Sequence, residues 1–155
     1  MKCFGNSTVI TLMCASLTVI FLSVSSAQGG DFMVTKPSKY SVPETIDRIE
    51  KSVTAKGMKL FARINHGGEA KKVGLEMKPT ELLIFGNPKG GMALMVARPT
   101  AAIDLPMKAL AWEDKDGKVW LTYNSSALLQ ERHGLPAELA ARLDAVGKLL
   151  EQAVE

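Results

Sequence analysis

Two histidines, two glycine-rich segments and a methionine pair hold most of the chemistry this sequence could perform. His66 stands directly before Gly67-Gly68, where the backbone can turn sharply and let a ligand approach. Glu69 follows three positions later. On a helical turn its carboxylate would reach the imidazole, an arrangement suited to general acid/base work or to a pair of metal ligands. The plainer alternative is a buried imidazole satisfied by a backbone carbonyl or by Asp104. His133, the only other histidine, falls at an expected helix C-terminus, where the macrodipole favours its charged form. No HxH, HExxH or EF-hand pattern occurs, so no metal is expected, and no cofactor motif is present either. Met92 and Met95 have the thioether chemistry of a copper(I) site, yet they lie among Ala, Leu and Val at helical spacing, which marks packing. Gly86-Asn87-Pro88-Lys89-Gly90-Gly91 follows an apolar run and precedes a short helix whose N-terminus could take an anion. It contains neither GxxxxGK[ST] nor GxGxxG, and the chain has no GxSxG nucleophile elbow.

These residues need a scaffold, and the pattern supplies one. Ser41-Val42-Pro43-Glu44 opens a helix as N-cap, early proline and capping-box acid, Val42, Ile46, Ile49 and Val53 form its apolar stripe, and Gly57 ends it. Met58 to His66 alternates, which predicts a strand with Met58, Leu60, Ala62, Ile64 and His66 on one face. Glu69 to Val73 is read as a helical turn, Glu81 to Gly86 as a buried strand, Asn87 to Gly91 as a loop, and Met92 to Ala97 as a short helix. Met107 to Asp114 and Lys118 to Asn124 form a hairpin around Gly117 whose register sets Trp112 beside Trp120. Ser126 to Arg132 is helical, and the last helix carries Leu139, Leu143, Val146 and Leu150 as its stripe. With Phe32 to Lys36 as a first extended piece, the order is β-α-β-(α)-β-(α)-β-β-α-α. The fold class is α+β: a single two-layer domain with a mainly antiparallel sheet packed against helices.

The first 27 residues are a different kind of polypeptide. After Lys2, Val9 to Val24 is almost continuously apolar, and Ser25 and Ala27 stand at −3 and −1 of a cleavage point. This is the pattern of a secretory signal, and the run is too short to cross a bilayer comfortably. Residues 28–155 would then be the working domain, periplasmic or secreted and off the membrane once the signal is cleaved. Cys3 and Cys14 would leave with the signal, and with them any disulfide, thiolate or Cys nucleophile. The charge of +3, dispersed along 155 residues, gives no footprint for nucleic acid.

From Phe32 to the C-terminus the chain resembles the family called domain of unknown function 302. The likeness rests on Ala62-Arg63-Ile64-Asn65-His66, Leu75 to Pro88 with its Phe-Gly-Asn-Pro ending, Ala102-Ile103-Asp104-Leu105-Pro106, Trp112-Glu113-Asp114, Val119 to Tyr123 and Arg132-His133-Gly134-Leu135. Asn65 stands where the family often has an acid. The resemblance implies a compact α+β domain prone to dimerise, found in soluble and exported forms, and it strengthens His66, Asn87, Pro88, Asp104 and Pro106 as site candidates. It implies no reaction, so the catalytic residues are unknown. The combined expectation is an exported, non-enzymatic, homodimeric domain that holds a small molecule near the ends of Met58–His66 and Glu81–Gly86. His66, Asn87, Pro88 and Asp104 would line that site, with Phe85, Met92 and Trp112 as apolar wall. The alternatives are an envelope interaction module and an enzyme using His66 as general acid/base.

Overall fold

The computed structural model describes residues 32–155. The apolar run Val9–Val24 and the junction after Ala27 lie outside the described residues. The five strands are β1 (Met33–Pro37), β2 (Lys59–Asn65), β3 (Thr80–Gly86), β4 (Met107–Glu113) and β5 (Val119–Asn124). They form one sheet in the order β1-β5-β4-β3-β2, antiparallel throughout. The helices are α1 (Val42–Ala55), α2 (His66–Lys72), α3 (Pro88–Ala97), α4 (Ser126–His133) and α5 (Ala137–Val154), with a 3-10 turn at Pro99–Ile103. The α+β class and the element order agree with the sequence pattern.

α1 forms as its local signals require. The Ser41 hydroxyl accepts from the Glu44 N–H, Pro43 stands in the first turn, and Gly57 leaves at φ 72°. Val42, Ile46, Ile49 and Val53 are fully buried on Leu83, Phe85, Ala109, Ala111 and Leu121. The hairpin register is also as expected: Trp112 faces Trp120, the rings stack at 6.3 Å, and Thr122 and Asp114 accept from the two indole N–H groups.

Three local expectations change. Phe61 is an extra residue in β2, because Leu60 pairs with Phe85 while Ala62 pairs with Ile84. Cross-strand partners share a face, so this bulge splits the alternating set: Leu60 joins the core, whereas Ala62 and Ile64 turn to the opposite side. Both Gly-Gly segments are helical rather than looped. The Asn65 side chain accepts from Gly68 N–H at 2.6 Å, and that of Asn87 from Lys89 and Gly90 N–H, so each helix starts earlier than its composition suggests. At Gly67 a Cβ would come 3.3 Å from the Lys78 carbonyl oxygen, a tight contact that glycine avoids.

The third change is in α5. Of its expected stripe only Leu150 is fully buried; Leu139, Leu143 and Val146 are half-buried, and Ala140, Gly147, Ala153 and Val154 face inward. The helix lies close on Tyr123, where a Cβ at Gly147 would meet the phenol oxygen at 3.1 Å. That hydroxyl donates to Glu151 at 2.8 Å. Burial first, then the Glu151 hydrogen bond and charge, push the phenol above its ordinary value near 10. A phenol that binds its proton more tightly when folded lends stability that is complete below pH ~10 and is lost as pH rises beyond it. Tyr123→Phe should cost about 1 kcal/mol at neutral pH and flatten the alkaline fall. Urea unfolding at pH 7 and above pH 10 checks this, and parallel falls in parent and variant would clear the phenol of that role.

Candidate functional site

α1 and α5 cover one face of the sheet. A second apolar cluster of Leu94, Ala101, Leu129 and Leu135 sits under α3, α4 and the first half of α5. Between these two cores the cover is incomplete, and a cleft of about 880 Å³ opens. Its walls are the half-buried stripe of α5 (Leu139, Leu143, Val146, Leu149), Met92 and Met95 of α3, and the sheet end around Phe61, Pro106 and Met107. Such a volume is in the range of small-molecule sites. Four methionines line it: Met58, Met92, Met95 and Met107. Unbranched thioether chains re-pack easily and suit a variable apolar guest.

The candidate residues are distributed over five places. Asn87 and Pro88 line the cleft at the start of α3, where the Asn87 oxygen is committed to capping. Phe85 is 0% exposed in the main core, between Leu60 and Met107 in the sheet, and so forms no ligand wall. Trp112 is on the sheet face opposite α1 and α5, with Trp120, Leu82, Ile84, Leu110 and Ile64 around it. His66 begins α2 at the other end of the sheet. The pairing Lys59↔Gly86 and Asn65↔Glu81 explains the separation, since the end of β2 lies beside the start of β3. His66 and Asn87 are therefore about a strand length apart, ~20 Å. The single cleft expected at both strand ends does not form, because those ends point in opposite directions. Glu69, expected to reach the imidazole, pairs with Lys72 at 2.7 Å instead.

Asp104 has a different histidine. His133 Nε2–H donates to its carboxylate at 2.6 Å, Arg132 adds a contact at 3.1 Å, and His133 Nδ1 lies 3.1 Å from the Thr100 hydroxyl. A hydroxyl, imidazole and carboxylate in line have the composition of a nucleophilic triad. None of the three lines the cleft, however, and the His133 side chain is 4% exposed. The group ties the 3-10 turn to α4 as a buried polar staple.

A second set of groups was also missed by spacing. Arg63 faces α1 from β2, donating to Glu81 at 2.8 Å and to Asp47, with Glu50 at 3.8 Å. Glu81 is 5% exposed. The bulge is what turns Arg63 to this side, and no sequence period announces it. Among the described residues no three His, Cys, Asp or Glu gather as a metal site.

With this geometry in view, the comparisons are consistent. Residues 34–155 match the family described as Domain of unknown function DUF302. Fluoride-specific ion channel FluC 1 of Brucella suis biovar 1 (strain 1330) is 48% identical over 117 residues, 74% of this chain and 46% of that protein. Fluoride-specific ion channel FluC 2 of Brucella melitensis biotype 1 has the same identity and length of match, covering 43% of that protein. The chain thus spans less than half the length of these relatives. Among the described residues no helix is long and apolar enough to cross a membrane. A crystal structure of an uncharacterized conserved protein DUF302 from Bacillus stearothermophilus superposes with a TM-score of 0.72 at 20% identity, over 81% of this chain and 99% of that one.

Proposed function

The chain belongs to the family described as Domain of unknown function DUF302, and from that premise we propose that it is a non-enzymatic small-ligand-binding domain, exported by its first 27 residues and homodimeric. The observation that carries the ligand half is the cleft between α3 and α5, where Leu143, Val146 and Leu149, each packed on one side against a core cluster, leave the rest of their half-buried surface on open space. An apolar wall left uncovered costs solvation in the empty protein, and a bound molecule removes that cost. His66 as general acid/base is the weaker alternative, because Glu69 is engaged elsewhere and Asp104 belongs to His133. Fluoride conduction, named for relatives more than twice as long, is not assigned to this domain. Their greater length supports a module that works beside other domains.

The homodimer, or an interaction with another envelope protein, draws on a different feature. The sheet face opposite α1 and α5 carries Ile64, Ile84, Leu110, Trp112 and Trp120 together, half-buried apolar side chains that retain surface for a partner. Native mass spectrometry of protein purified after expression of the full chain tests both halves. The expected masses are a dimer and a non-covalent adduct of a few hundred daltons. Gly91→Phe, which fills the cleft from α3, should remove the adduct and keep the dimer. Ile84→Lys should do the reverse. A bare monomer in every preparation would rule the proposal out.

A further inference from the structure

We infer that the ligand of the α3–α5 cleft is a free single-chain amphipathic anion, of the class of a medium-chain carboxylate. This rests on the cleft being a ligand site and goes on to name its chemistry. The lining holds four cationic side chains, Lys56, Lys59, Arg142 and Lys148, and no Asp or Glu. The whole chain has 19 basic against 16 acidic residues, so this segregation is local. All four are exposed and so stand at the rim, two at the α1–β2 turn and two on α5.

Four of the neighbouring carboxylates are occupied elsewhere, while Glu138, one turn before Arg142 on α5, makes no ion pair with it. Glu151 takes the Tyr123 hydroxyl and Lys36, Asp144 takes Ser126, and Asp47 and Glu50 take Arg63. Among the described residues, none of the four rim cations has a carboxylate within ion-pair distance. Lys59 lies over the ring of Phe61 at 5.1 Å, which aims its charge across the cleft wall.

Each feature narrows the guest. The floor of methionine and leucine accepts a flexible hydrocarbon tail and offers few polar partners that would fix a sugar or a nucleotide. The rim favours a negative head and opposes a positive one. Copper(I), which four thioethers would otherwise suit, enters against four positive charges and without an anionic ligand. An anion with a tail satisfies both halves at once.

The test is calorimetric titration of protein purified after full-chain expression, using decanoate, decan-1-ol and decyltrimethylammonium. Decanoate should bind at least tenfold more tightly than decan-1-ol, and decyltrimethylammonium should bind least. Across octanoate, decanoate and dodecanoate the affinity should rise about fourfold per methylene. Arg142→Glu with Lys148→Glu, both on the exposed side of α5, should weaken decanoate at least tenfold at low salt and less at high salt. Met92→Glu, also at an exposed position, should weaken it similarly. Equal binding of decanoate and decan-1-ol, unchanged in the charge variant, overturns the anion while leaving an apolar ligand site. Binding of none of the three removes the site as well. Sedimentation with phosphatidylglycerol vesicles without binding of free decanoate makes the rim a membrane contact and also overturns the proposal.

Discussion

Phe85→Ala is expected to remove about 3–5 kcal/mol of stability, most of what holds a domain of this size together, without acting through the ligand cleft. Phe85 is the largest fully buried side chain, with Leu60 and Met107 beside it in the sheet. Its truncation leaves a cavity that α1 cannot fill, because Ile46 and Ile49 are already seated in the same core. Phe61 gives the contrast. It is 48% exposed on the bulge and lines the cleft, so Phe61→Ala should cost under ~1 kcal/mol and act on ligand binding. Urea unfolding separates the pair: a large drop in midpoint for Phe85→Ala at unchanged slope, and a small one for Phe61→Ala. If Phe85→Ala proved as mild as Phe61→Ala, the core would not be arranged around β3 as described.

That contrast shows where sequence reading succeeds and where it stops. Signals that act within a few residues are legible: the Ser41 cap, the α1 stripe, and the tight turn that fixes Trp112 against Trp120. Alternation in β2 sets Leu60 with Ala62 and Ile64 and leaves Phe61 with Lys59, Arg63 and Asn65, and nothing local says that Leu60 alone of its set faces the helices. That depends on one inserted residue in β2, and a bulge has no period to detect. The same limit hides the site. His66 and Asn87 each end a strand in the sequence, but antiparallel pairing sends those ends apart. Composition also misleads where a single side chain overrides it, as when Asn65 and Asn87 cap helices through consecutive glycines. The motif around Asp104 reads as a ligand contact, whereas its pairing with His133, 29 positions away, has no local signal. The cleft itself is invisible to periodicity. Its wall is the α5 stripe, which reads as core until Tyr123 claims the opposite side of that helix.

Arg63→Met should cost about 3 kcal/mol, lowering the melting temperature by about 10 °C, although Arg63 itself is only partly buried. The loss comes from what the substitution leaves behind. Glu81 is 5% exposed within β3, flanked by β2 and β4, and its 2.8 Å bond to Arg63 Nε is its main source of positive charge. Asn65 Nδ2, at 3.4 Å, offers a weak neutral bond to the other oxygen. Methionine keeps the packing of the arginine stem but strands the carboxylate in low dielectric. Asp47→Asn touches the same guanidinium from its exposed side and should cost under ~1 kcal/mol, since Asp47 is 64% exposed. The decisive measurement is the double variant. Arg63→Met with Glu81→Leu removes both charges from the sheet and should recover most of the loss, giving a coupling of about 2 kcal/mol in thermal or urea unfolding. Additive losses would mean that Glu81 is solvated in spite of its place in the sheet, and that the bulge at Phe61 orients Arg63 toward α1 alone.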